Sequence, residues 1–156
     1  MQNKTELDIP IISIVTPNYN YGKYIAETIE SVIFQKGNFY IDYIIIDGLS
    51  TDNSLDIIEH YSNYLSSNYE TKTYKDSVFY IDNKYNPSND VFFKNPLKIS
   101  CKGIKYTFLS EKDTGQYNAI KKGFELSVGS IMGYINSDDY YLSNSFAFLV
   151  DRFSNP

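Results

Sequence analysis

Four short apolar runs, each followed by a polar turn and then by apolar residues at helical spacing, set the strongest limit on what this chain can fold into. They are Ile11 to Thr16, Ile41 to Ile46, Ile104 to Leu109 and Ile131 to Ile135. The first two are nearly continuous Ile and Val, as strands buried on both faces of a parallel sheet require. The helical stretches carry Ile25, Ile29, Val32 and Ile33, then Leu55, Ile58, Tyr61 and Leu65. The last two carry Tyr117, Ile120 and Phe124, then Phe146, Leu149, Val150 and Phe153. Helix starts are expected at the caps Ser50, Thr114 and Ser143, and Gly129 separates the third helix from the fourth strand. Repeating strand–helix order predicts an α/β fold: a mainly parallel sheet with right-handed crossovers and flanking helices. The rhythm breaks once. Ser62 to Gly103 is rich in Tyr, Asn and Ser, with alternation around Val78, Tyr80 and Ile81 and prolines at Pro87 and Pro96. It reads as an insertion between the second helix and third strand, forming a small hairpin on the sheet edge.

The 156 residues carry a formal charge of −5, which argues against a basic face for nucleic acid. It leaves a nucleotide ligand open, because a divalent cation can bridge acidic side chains to phosphates. Residues 1–156 are read as one domain. A single cysteine, Cys101, excludes a disulfide scaffold and structural zinc, and fits a reducing cytoplasm. The first eight residues lack the apolar core of a secretory signal, and no apolar run approaches the roughly 20 residues of a membrane span.

In an open parallel sheet, ligands bind beyond the carboxyl ends of the strands. All four ends are polar here and three carry carboxylates. The sharpest is Asn136-Ser137-Asp138-Asp139, directly after a strand. Adjacent carboxylates there could hold a hard divalent cation and a ribose or metal-bound water, although the pair could also simply open a turn. Asp47, followed by Gly48, could accept the imide N–H of a base or form an Asx turn. Ser50 and Asp52 suit a helix start better than a ligand. Pro17-Asn18-Tyr19-Asn20 could set main-chain amides and the Tyr19 ring beside a nucleoside, and Asp113 could hold sugar hydroxyls. His60 is read as a surface or helix-end residue and Cys101 as structural, and the Tyr61–Tyr85 stretch as either a sugar platform or compositional bias.

Taken in order, Pro17 to Asn20, Asp47 to Ser54, Ser110 to Ala119 and Asn136 to Asp139 resemble the donor-site motifs of family 2 glycosyltransferases, which have the GT-A fold. The resemblance spans nearly the whole chain outside the insertion and the first ten residues. It implies inverting transfer of a sugar from a nucleotide diphosphate donor, expected to be a UDP-sugar, to a glycan or lipid-linked acceptor. It implies that Thr16, Pro17, Tyr19, Asn20, Asp47 and Ser50 serve the nucleoside. Asp113 would serve the ribose or donor sugar, and Asp138 and Asp139 a Mg²⁺ or Mn²⁺, with Asp139 the principal ligand. Two departures stand out. Lys121 occupies a position where many relatives have Asn, and the general base and acceptor contacts of the family lie later than Pro156. The chain is therefore expected to be the nucleotide-sugar-binding portion of a bacterial polysaccharide-assembly enzyme, cytoplasmic or at the inner face of the membrane. The competing reading is a non-catalytic nucleotide-binding or partner-binding module of the same fold. A nucleotidyltransferase would want a Gly-rich basic loop after the first strand, and a receiver domain an acid pair there; Thr16-Pro17-Asn18 offers neither.

Overall fold

The computed structural model describes residues 9–82 and 98–155. In chain order the elements are β1 (Ile11–Asn18), α1 (Ile25–Ile33), β2 (Tyr40–Asp47), α2 (Ser54–Asn68), β3 (Glu70–Tyr74), β4 (Ser77–Ile81), β5 (Gly103–Ser110), α3 (Gln116–Leu126), β6 (Ile131–Tyr134) and α4 (Ser145–Ser154). They build one six-stranded sheet in the order β3-β4-β5-β2-β1-β6. The four strands read from the apolar runs are its parallel part, with β1 and β2 central and buried at every position. β3 and β4 form a hairpin added antiparallel to β5, on the sheet edge as expected. Its two-residue turn, Lys75-Asp76, has positive φ at both positions, the geometry that follows the twist of a hairpin.

Alternate residues of the central strands feed two layers. Ile12, Ile14, Ile41, Tyr43 and Ile45 pack against α1, α2 and α4 through Ile25, Ile29, Ile58, Leu65 and Phe146. Val15, Ile44 and Ile46 meet Ala119 and Phe124 of α3 on the other face. Gly123 lets α3 approach β1: a Cβ there would lie 2.3 Å from Val15 Cγ1. Gly129 acts similarly, since its Cβ would meet the Ile11 carbonyl at 2.6 Å. Beside it, buried Asp42 accepts the Ser13 hydroxyl at 2.6 Å and the Val128 N–H at 2.9 Å, tying the approach to β6 to the two central strands.

Three expectations change. α2 continues to Asn68, so the segment from Ser62 begins as helix rather than insertion. Tyr61, Tyr64 and Tyr69 are core, and Tyr74 stacks on Tyr40 with centroids 4.2 Å apart, so these rings are packing rather than a sugar platform. Tyr85, Pro87 and Pro96 lie outside the described residues. The helix caps are Asn53, Gly115 and Asn144 in place of Ser50, Thr114 and Ser143, and none makes a side-chain cap bond. Ser50 is engaged elsewhere, and Asp52 supplies the acceptor for the Ser54 N–H at 2.9 Å. No described helix is long and apolar enough to cross a membrane.

Candidate functional site

The chain leaves β1 toward β2 on one side, then returns from β5 through α3 to β6 on the other. The order reverses at β1, and the carboxyl ends of β1 and β6 flank the crevice where open α/β sheets bind ligands. A cleft of about 350 Å³ lies there, within the range of small-molecule sites. Pro17, Asn18, Tyr19 and Tyr21 form one wall. Asp113 and the start of α3 at Gly115 and Gln116 form another, and Asn136, Ser137 and Asp138 a third.

The first wall is cross-linked from below. Asp47 is fully buried, and its carboxylate accepts four hydrogen bonds. These come from Asn18 Nδ2 at 2.8 Å, the Ser50 N–H at 3.0 Å, Ser50 Oγ at 2.5 Å and Ser110 Oγ at 2.7 Å. Asn20 adopts φ 57°, a left-handed conformation that Asn tolerates. Its Oδ1 accepts the N–H groups of Thr51 at 2.8 Å and Asp52 at 3.2 Å, while its own N–H donates to Ser50 Oγ. Asp52 closes the lattice by accepting the Gly22 N–H at 2.8 Å. Its slight desolvation, which would raise the pKa, is outweighed by hydrogen bonding from Ser54 and Gly22, so the carboxyl sits below the ordinary Asp value.

This lattice redistributes the residues singled out from sequence. Pro17, Tyr19, Asp113 and Asp138 line the cleft; Thr16, Asn20, Asp47, Ser50 and Asp139 do not. Thr16 is buried and shares a 2.8 Å hydrogen bond with the Tyr43 hydroxyl. Asp47 faces protein donors instead of opening toward a base, because β1 and β5 enclose it on either side. Asn20 and Ser50 hold the loop that displays Tyr19, which is 57% exposed. Asn18 entered the sequence reading only as part of the Pro17–Asn20 loop, and Tyr21 did not enter it. Asn18 is buried at the cleft wall, with its Oδ1 lacking any hydrogen-bond partner while Asp47 fixes the orientation of the amide. The clue to Tyr21 was its spacing, two residues after Tyr19 across a turn-forming Asn.

On the opposite walls, Asp113 accepts the Gly115 N–H at 3.0 Å and packs against Gly48, where a Cβ would approach its carboxylate to 3.0 Å. Gln116 Nε2 donates to Asn136 Oδ1, joining α3 to the acidic turn. No side chain caps the first turn of α3, whose free N–H groups favour an anion at this wall. Asp138 and Asp139 are both exposed. The charged side chains of the lining are two carboxylates, Asp113 and Asp138, and no Lys or Arg accompanies them among the described residues. Nor do the described residues hold a group of three or more His, Cys, Asp or Glu that could bind a metal ion by themselves. That donor set fits Mg²⁺ or Mn²⁺, which bind through one or two carboxylates and complete their shell with phosphate oxygens and water. Away from the cleft, burial pushes the Cys101 thiol up to about 12, which suits packing and not nucleophilic chemistry.

Residues 13–89 match Glycosyl transferase family 2. A Bacillus subtilis glycosyltransferase named for teichuronic acid biosynthesis, TuaG, is 40% identical over 52 residues, which are 33% of this chain and 20% of TuaG. Chondroitin synthase of Escherichia coli is 24% identical over 154 residues, 98% of this chain and 17% of the synthase. Among solved structures, the mannosyltransferase PcManGT of Pyrobaculum calidifontis, in complex with GDP-Man and Mn²⁺, superposes with a TM-score of 0.62 at 14% identity, covering 95% of this chain and 33% of that one. TarS 1-349 of S. aureus with UDP-GlcNAc gives 0.60 at 19% identity, over 92% and 31%. These likenesses establish the GT-A fold. The chain spans about a third or less of each of these proteins.

Proposed function

We propose that this chain, whose residues 13–89 match Glycosyl transferase family 2, is a member of that family, and that its cleft binds a nucleotide-sugar donor, a UDP-sugar, for inverting transfer to a glycan or lipid-linked acceptor. The observation that carries this reading is a cleft at the strand-order reversal that pairs exposed carboxylates with an uncapped helix start and contains no basic side chain among its described residues. A diphosphate entering it needs a cation in between. In this reading Tyr19 and Tyr21 flank the base, and Pro17 and Asn18 approach the nucleoside. Asp47, Ser50, Asn20 and the buried Thr16 keep that wall in place. Asp113 accepts ribose or sugar hydroxyls, and Asp138 with Asp139 holds Mg²⁺ or Mn²⁺. When bound, the cation would neutralise charge on the departing nucleoside diphosphate. α3 presents its N-terminal N–H groups to the same charge.

No general base is assigned. Glu111 is ion-paired with Lys122 at 2.8 Å, and Asp113 belongs to the donor side. The base and the acceptor contacts fall, in this reading, in the portion of such enzymes that the chain does not span. Calorimetric titration with UDP, with and without Mn²⁺, tests the assignment. Metal-enhanced UDP binding is expected; equal or absent binding in both would refute it.

A further inference from the structure

The segment from Asp139 to Asn144 connects the acidic turn to α4 without regular secondary structure. Its main-chain groups need partners, and α1 supplies them. Thr28 donates its hydroxyl to the Asp139 carbonyl at 2.5 Å. Ser31 Oγ accepts the Tyr141 N–H at 3.1 Å. Just past the helix, Gln35 Nε2 donates to the Leu142 carbonyl at 2.9 Å, and Gln35 Oε1 accepts the Phe146 N–H at 3.2 Å, inside the first turn of α4. Residues 28 and 31 lie on one flank of α1, beside the apolar residues that face the sheet, and Gln35 follows two residues past its end. Thr28 is 0% and Gln35 4% exposed, so these are not solvent-facing polar residues. All four bonds go to backbone, so they fix where the segment runs whatever its side chains are. The strand side of the turn is held independently, by the Ile135 N–H on the Val15 carbonyl at 2.9 Å and the Asp139 N–H on the Asn136 carbonyl at 3.1 Å.

We propose that Thr28, Ser31 and Gln35 are positioning residues for cation binding, setting the place of Asp138 and Asp139 through the main chain of the segment that follows them. This rests on the cation assignment above, and α1 itself touches no ligand in it. Removing an outer support of a metal-bound carboxylate costs roughly tenfold or more in metal affinity. The test is UDP titration with MnCl₂ and again with EDTA, on wild type, Thr28→Val, Thr28→Ser and Ser31→Ala, with thermal unfolding of each. Thr28→Val is expected to keep the metal-free UDP affinity and lose about tenfold of the manganese-dependent gain. Thr28→Ser, which keeps the hydroxyl, is expected to recover it. Ser31→Ala, at a less buried site, is expected to show a smaller loss in the same direction, and serves if Thr28→Val does not fold. Variants that lower the unfolding temperature while keeping the full manganese gain overturn the positioning role and leave the donor-site reading standing. A wild type without any manganese gain overturns both.

Discussion

The two sides of the cleft are built by opposite means. On the β1 side, the loop from Asn18 to Gly22 and the loop from Asp47 to Ser54 are stitched by side chains to each other and to main chain, around a carboxylate with four donors. On the β6 side, the two carboxylates of the acidic turn are exposed, and its support comes from behind, as side chains of α1 and of Gln35 just past it grip its backbone. The buried centre of this lattice, Asp47 with Asn18, is costly to leave half-made, so the first wall is expected to form before any ligand arrives. Exposed neighbouring carboxylates cost little alone and have their hydrogen-bonding capacity free for a cation. On the proposed donor-site reading, the contrast predicts fold stability from the first wall and ion-dependent binding at the second.

Asp47→Ala should break that contrast most severely. It strands the Asn18, Ser50 and Ser110 donors, and a loss of about 3 kcal/mol is expected in urea unfolding, together with weaker metal-free UDP binding. A loss below about 1 kcal/mol would mean the lattice is not what holds the wall. Asp138→Ala should do the reverse, changing stability by less than about 0.5 kcal/mol while removing most of the manganese-dependent gain in UDP affinity. Equal damage to stability and to binding would erase the distinction. Gly48→Ala probes the meeting of the walls, because the added methyl presses on the Asp113 carboxylate. About 1 kcal/mol of stability and part of the UDP affinity should go together. The smallest effect concerns Asp52. Its folded-state pKa lies below the ordinary Asp value of about 3.9, so its stabilisation is complete above that pH and fades as the pH falls through the lower native value. Asp52→Asn should flatten that part of the acid-unfolding profile and leave neutral-pH UDP binding unchanged.

Much of this architecture could be read from the chain alone, and the parts that could not share a cause. The apolar runs located all four parallel strands; burial on both faces leaves that signature in β1 and β2, while β5 and β6 carry apolar runs that stay partly exposed. The alternation around Val78, Tyr80 and Ile81 located the edge hairpin, although the face it buries carries Ser77 and Phe79 and leaves Val78 exposed. Strand ends rich in Asp and Asn pointed to the cleft, and Asp113 and Asp138 do line it. Asp47 has the same local sequence appearance as those acids, yet it is enclosed by strands whose partner residues lie 29 and 63 positions away. Thr28, Ser31 and Gln35 carried no sequence signal, since their partners are backbone groups more than 100 residues downstream. The predicted caps at Ser50, Thr114 and Ser143 erred more locally: an Asx turn at Asp52 and left-handed Asn144 start their helices one or more residues later.

Paramagnetic broadening of backbone amide NMR signals by Mn²⁺ in the presence of UDP would locate the cation directly. The account predicts selective loss of signals from Asn136 to Asp139, with Asn18, Tyr19 and Gly115 next, and sparing of the β3–β4 hairpin at the far edge of the sheet. Broadening centred away from the β1–β6 crevice, or none at stoichiometric Mn²⁺, would contradict it.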